Sequence, residues 1–266
     1  MAEIDLFLLL YGLIIGLGAG VIGGTLAGLA GVGGGLIYVP LFYALMPTTG
    51  ESIAIHVFAS MVAIIITGFF SARAHWRLQH VDRDSLTQLL PGLVIGASLG
   101  LWSTLLLPQV LVLLGLAGLN ALVAHDYGKS ETQRKNNRPS LRLLSWPIGY
   151  LSGLLGIGGG TMLVPLLRRH IDLRHAVGTS AACGAIMAAS AVTLNLSMES
   201  DWHGLLMKHY SLLAGTWLGV LLILPPTTSW AAGLHVSVAD KLLRLILKAA
   251  FSLLSLGLLS AAWMAA

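Results

Sequence analysis

Two glycine-rich blocks hold the residues best placed to do chemistry. Gly28-Leu29-Ala30-Gly31-Val32-Gly33-Gly34-Gly35-Leu36-Ile37-Tyr38-Val39-Pro40-Leu41 recurs 125 positions later as Gly153-Leu154-Leu155-Gly156-Ile157-Gly158-Gly159-Gly160-Thr161-Met162-Leu163-Val164-Pro165-Leu166. All five glycines, the proline and most apolar positions coincide, which marks an internal duplication. Three consecutive glycines weaken a helix by roughly 1 kcal/mol each relative to alanine, and they admit backbone angles closed to other residues. The proline that follows removes one more amide donor. A helix that breaks and restarts there leaves its first amides unpaired and turns the positive end of its dipole toward the gap. Such an end binds anions without a buried Lys or Arg.

The candidate anion-binding residues follow from that chemistry. Gly33, Gly34 and Gly35 supply amides in the first block, and Gly158, Gly159 and Gly160 in the second. Thr161 lies directly after the second break. Thr179 and Ser180 open the helix that follows, and His56 and Ser60 sit in the equivalent helix of the first half. A bland reading stands beside each. Glycine triplets in membrane helices also serve close helix packing. Thr179 and Ser180 are able to bond their own helix carbonyls. His56 also reads as a neutral, satisfied interior histidine, and Lys208 as a side chain snorkelling to an interface or as a charge at a substrate mouth.

Other chemistries find no constellation. The nine histidines are scattered, without H-E-x-x-H or another metal-ligand spacing. No G-x-x-x-x-G-K-[ST] sequence is present, which argues against an ATP-driven pump. The glycine run is not a dinucleotide fingerprint, because no strand precedes it. No run of intramembrane Asp or Glu suggests a proton relay. Cys183 is the single cysteine, so an internal disulfide is excluded, and it reads as a small packing residue.

Composition sets the environment. With 56% hydrophobic and 10% charged residues, a chain of this length has too much apolar surface for a soluble domain. Residues 1–10 carry Glu3 and Asp5 and no Lys or Arg, unlike the basic start of a cleaved signal peptide. Leu6 to Gly50 is free of charge; those residues would make about 68 Å of helix, roughly twice a bilayer core. They hold a lead-in helix, the break and a short return helix ending near Met46-Pro47. Ser52 to Ala72 is one span, residues 73–83 a basic loop, and Ser85 to Ala124 two helices turning at Leu107-Pro108. A basic linker, 125–142, joins the halves, and it removes any argument for nucleic acid because the positive charge is confined to short loops. Leu143 to Leu167 holds the second break. Ala176 to Met198 spans, Glu199 to Trp202 is an acidic loop, Gly204 to Leu224 spans, Pro225 to Lys241 is a loop, and Leu242 to Trp263 is the last span.

Charge orients the chain. With loop 73–85 in the cytoplasm and Leu143 to Leu167 as a hairpin, fourteen of the fifteen Lys and Arg residues fall inside, Lys208 excepted. Loop 47–51 then lies outside, while its counterpart, 168–174, lies inside. The expectation is an all-α polytopic membrane protein of two inverted-topology repeats, 1–124 and 143–266. Each holds a glycine-broken helix hairpin and about three spanning helices, roughly eight membrane segments in all. Paired interruptions in such repeats point to a transporter's midplane site. The lead-in of the first half is about twice as long as that of the second, and an extra half-span there would leave the side of the N-terminus open.

The doubled G-x-x-G-[VI]-G-G-G-x-x-x-V-P-L block, with His175-Ala176-Val177-Gly178-Thr179-Ser180 after its second copy, resembles the TauE/SafE family of sulfite-exporter-like permeases over nearly the whole chain. The resemblance implies a multi-pass permease of the bacterial cytoplasmic (inner) membrane for small sulfur-containing or carboxylate anions, such as sulfite, thiosulfate or organosulfonates. It implies no prosthetic cofactor. The family often has a Thr-Ser pair after the first block too, where this chain reads Ile53-Ala54-Ile55-His56-Val57-Phe58-Ala59-Ser60. The expected function is secondary transport by alternating access, with His56 as a proton-responsive contact because an ordinary histidine titrates at about 6.5. The alternatives are a passive anion channel and a membrane enzyme or assembly factor without transport. The expected partners are the small anion, the lipid bilayer and, as a candidate homodimer, a second copy of the chain.

Overall fold

The computed structural model of the chain describes residues 5–30, 35–47, 52–127, 140–198, 200–237 and 240–265. Every regular element among them is a helix: α1 (Leu6–Ala30), α2 (Gly35–Leu45), α3 (Ala54–Arg77), α4 (Arg83–Ser103), α5 (Gln109–Tyr127), α6 (Leu141–Leu155), α7 (Gly160–Leu167), α8 (Leu173–Met198), α9 (Ser200–Lys208), α10 (Tyr210–Ser237) and α11 (Asp240–Ala265). Six of them, α1, α3, α4, α8, α10 and α11, contain stretches long and apolar enough to cross a membrane, and α2 and α5 are shorter apolar helices. The chain is an all-helical, multi-pass membrane protein. The first half of α3 and the inward face of α8 are the most enclosed parts of the bundle.

Pairing follows from small residues. α1 packs along α10 in parallel, with Gly12 against Leu212, Gly16 against Thr216 and Gly20 against Val220. α4 packs along α6 in parallel, with Gly92 against Ser145 and Gly100 against Tyr150. Most of these contacts are backbone to backbone: a Cβ on Gly153 would stand 2.1 Å from the Ala97 carbonyl oxygen. In lipid such close approach supplies packing that hydrophobicity alone does not. α3 and α8 run antiparallel, since Gly68 meets Ala185 while His80, beyond the end of α3, meets Gly178. α5 and α11 also run antiparallel and are joined where Ser255 Oγ donates to the Ala117 carbonyl at 2.9 Å.

An offset of 125 residues maps α1, α2, α3, α4 and α5 onto α6, α7, α8, α10 and α11. The same offset carries the α1–α10 pair onto α6–α4, and it carries the α3–α8 and α5–α11 pairs onto themselves.

Three expected boundaries move. α3 continues to Arg77, so the loop shrinks to residues 78–82 and its basic residues Arg73, Arg77 and Arg83 fall in the flanking helices; Gln79, at a left-handed φ of 58°, turns the chain. The acidic loop after α8 gives way at Ser200 to the short helix α9. The loop expected from Pro225 is helical to Ser237, because two prolines delete only their own amide donors and the apolar run around them continues.

Gly153→Val should force α6 away from α4. Overpacking of this kind costs about 1–3 kcal/mol. A lowered thermal unfolding midpoint of the purified protein is expected, with Gly118→Ala unchanged because nothing lies within 4 Å of a Cβ at that position.

Candidate functional site

The second glycine block forms a true break. α6 ends at Leu155, and Gly156 closes it in the left-handed region with φ 63°. The amides of Gly156 and Ile157 both return to the Ser152 carbonyl. Gly158 and Gly159 follow at φ 63° and 71°, angles that side chains adopt at a cost of roughly 1–2 kcal/mol per residue. Gly159 is the N-cap from which α7 restarts, and its carbonyl accepts from Leu163 at 2.7 Å. Residues 155–161 are all buried.

Three elements hold the break. The start of α2, the residue that closes the first glycine block, lies directly on it: a Cβ on Gly35 would stand 2.2 Å from the Ile157 carbonyl oxygen. The restart of α2 therefore meets the second break. From α3, Ser60 Oγ donates to the Gly156 carbonyl at 2.7 Å, and Ile64, one turn on, covers Gly158. From α8, Gly184 admits the Gly158 carbonyl, which would stand 2.5 Å from a Cβ there.

What the break exposes is a set of unmatched donors. Among the described residues, nothing accepts from the amides of Gly158, Gly159 and Thr161. The Thr161 hydroxyl, in the first turn of α7, is buried and has no hydrogen-bond partner. The Ser180 hydroxyl is likewise buried and unpartnered, one turn before Gly184 on the same face of α8. Buried donors of this kind are costly to leave unpaired. Together they suit a small ligand with several acceptor oxygens.

The other expected residues divide. Gly160 begins α7, and its amide turns back to the Gly158 carbonyl. His56 is only 2% exposed and sits one turn before Ser60, with its ring edge-on to Tyr43 at 5.2 Å. Thr179 points away from the break, accepting from the Asp82 amide at 2.8 Å and so tying loop 78–82 to α8. Gly33 and Gly34 lie outside the described residues. Two hydroxyls escape the sequence reading. Ser152 in α6 and Tyr38 in α2 are fully buried without partners among the described residues, and the only sequence signal was position, Tyr38 within the first block and Ser152 directly before the second.

The ends of the bundle are polar. At the start of α8, Asp172 accepts from the Arg174 amide and pairs with the His175 ring. Slight desolvation pushes its carboxyl up, but the hydrogen bonds from His175 and Arg174 outweigh that and hold it below its ordinary range. His80 packs between His75 and His175, yet no group of three His, Cys, Asp or Glu residues among those described is arranged to hold a metal. A cavity of about 350 Å³ beside Phe58 and Trp217 has almost wholly apolar walls and lies apart from the unpaired donors.

Comparison with known proteins agrees with this picture. The family described as Sulfite exporter TauE/SafE matches residues 16–262. A protein of Haemophilus influenzae named "Probable membrane transporter protein" is 30% identical over 245 residues, which cover 88% of this chain and 91% of the relative. "Probable membrane transporter protein YunE" of Bacillus subtilis is 26% identical over 230 residues, covering 75% of this chain and 83% of the relative. No solved structure matches.

Ser60→Ala should leave the Gly156 carbonyl buried without a donor. The expected loss is about 1–3 kcal/mol of stability, read as a lowered thermal midpoint. Ser98→Ala, whose hydroxyl bonds only its own helix at Val94, should change little.

Proposed function

The chain belongs to the sulfite exporter TauE/SafE family, and from that premise we propose that it is a secondary transporter. It moves a small sulfur oxyanion, organosulfonate or carboxylate across the bacterial cytoplasmic membrane by alternating access. That it is a membrane transporter follows from the family and from the names of its relatives. One observation favours an anion as cargo: the unpaired amides of Gly158, Gly159 and Thr161 cluster with the unpartnered Thr161 hydroxyl in a buried break. Main-chain N–H groups at a helix start attract negative charge, and among the described residues the unmatched main-chain donors there outnumber the one unmatched carbonyl, that of Ile157.

On this reading residues 1–124 and 143–266 are inverted repeats joined by linker 125–142. The support is directional. α3 pairs antiparallel with its counterpart α8, and α5 with its counterpart α11, as an axis in the membrane plane requires of equivalent helices. With loop 78–82 and the flanking Arg73, Arg77 and Arg83 inside, α1 begins outside, because it runs parallel to α10. The substrate contacts then come from the block glycines, Thr161 and Ser180, with Ser60 holding the break in shape. His56, buried one turn before Ser60, is the candidate proton-responsive contact, and Thr179 acts through loop 78–82. No prosthetic cofactor is required.

Purified protein in proteoliposomes should take up labelled sulfite, thiosulfate or a small sulfonate, with trans-stimulation by unlabelled substrate. A passive channel would lack that stimulation. Gly159→Leu places a side chain at φ 71° against Leu163. The strain of order 1–3 kcal/mol is expected to cut initial uptake by about tenfold or more while the protein still inserts. Absence of flux for every anion tried would end the proposal, and undiminished flux in Gly159→Leu would confine the glycines to packing.

A further inference from the structure

Away from the break, the α5–α11 pair carries a feature that transport through the bundle does not use. A groove of about 360 Å³ opens between the two helices on the outside of the bundle. His125, near the end of α5, and Lys248, on α11, stand at one end of it. Ser252 comes one turn further along α11, and Ala121 and Leu256 line the deeper part. The Ser255–Ala117 hydrogen bond closes its floor. Among the described residues, neither Lys248 nor His125 has a hydrogen-bond or ion-pair partner.

Lys248 sits at the membrane boundary of α11. It begins the apolar stretch Lys248–Ala265, which is long enough to cross a membrane, and it lies about 12 Å along α11 from Asp240. A cation there, on an outward face, stands at the level where anionic head groups lie. From Lys248 to Leu256 the groove runs another 12 Å or so down the helix, passing from cation to hydroxyl to apolar wall. The flanking faces of the same helices are apolar and open, with Leu122 at 66% and Leu253 at 69% exposure. Cation, then hydroxyl, then hydrocarbon is the order in which a phospholipid presents phosphate, glycerol ester and acyl chain. By the positive-inside argument the Lys248 end faces the cytoplasm, where basic pockets between membrane helices hold acidic head groups.

We propose that the α5–α11 groove is a binding site for one anionic phospholipid of the inner leaflet, its phosphate held by Lys248 and His125 and one acyl chain laid along Ala121 and Leu256. A second copy of the chain fits less well, because a two-fold contact here would bring the two Lys248 ammonium groups together. The site is independent of which anion the transporter carries.

The test is thermal unfolding of delipidated full-length protein in mild detergent, with native mass spectrometry on the same samples. Dioleoyl phosphatidylglycerol should raise the midpoint more than dioleoyl phosphatidylcholine, and one phosphatidylglycerol should remain bound in the mass spectrum. The difference between the two lipids should vanish in Lys248→Gln, shrink in His125→Ala and persist in Lys248→Arg. Glycerol phosphate, which has the phosphate without the chain, should give no shift. Ser252→Trp, which fills the groove, should release the retained lipid and keeps the test available if Lys248→Gln fails to fold. Equal stabilisation by both lipids, survival of the difference in Lys248→Gln, or a dimer whose mass replaces the bound lipid would each overturn the assignment.

Discussion

A main chain interrupted inside a membrane protein must be held by protein or must hold something itself. Hydrocarbon offers no hydrogen bonds, and each orphaned amide or carbonyl costs several kcal/mol. The stretch from Gly156 to Gly160 meets half of that demand internally. Its carbonyls at Gly156, Gly158 and Gly159 take Ser60 Oγ, the Gly160 amide and the amides of the first turn of α7. Its outward amides are left unmatched. The balance leans toward donors: the amides of Gly158, Gly159 and Thr161 and the single carbonyl of Ile157 have no partner among the described residues, and on the proposed reading those amides meet the negative charge of the cargo. The surrounding fold acts to keep it so, with α2, α3 and α8 each pressing backbone or small side chains onto one short segment.

Among the described residues, glycines near the break and at helix contacts perform two separable tasks, and the sequence alone does not sort them. Gly16, Gly153 and Gly184 are helical residues whose missing side chains let neighbouring backbones approach. Gly156, Gly158 and Gly159 are left-handed residues whose missing side chains let the chain turn. Gly35 belongs to the first group although it sits in a break motif, and it is the residue that lets the start of α2 lie on the second break. The choice between packing and turning the chain therefore resolves residue by residue.

Much of the architecture was legible because apolar length and helix-breaking residues are local signals. The duplicated block foretells both hairpins, and Leu107-Pro108 marks the turn between α4 and α5. What escaped the sequence depends on distant partners. Pro225 and Pro226 read as a loop, yet α10 carries them because the flanking residues complete the helix. Thr179 reads as a site hydroxyl, yet the Asp82 amide, 97 positions away in sequence, turns it toward loop 78–82. Ser152 and Tyr38 are ordinary members of apolar helices in the sequence; only burial without a partner distinguishes them. Ser60, by contrast, was found by homologous position in the first half and proves to touch the break itself, through Gly156.

A site built from main-chain donors has consequences for a cycle of binding and release. A buried Lys or Arg would hold an anion strongly, and without the anion it would leave a bare charge in a low-dielectric interior. Amides carry partial charge and need no counter-ion when the site is empty. Because the start of α2 lies on Ile157, and Ser60 of α3 holds Gly156, the geometry of the second break depends on the first half of the chain. Sliding α3 along its antiparallel counterpart α8 would move Ser60 and Ile64 off the break and change which donors face the ligand. On the proposed reading, that dependence couples affinity to the relative position of the two halves, which alternating access requires and a packing motif alone would not supply.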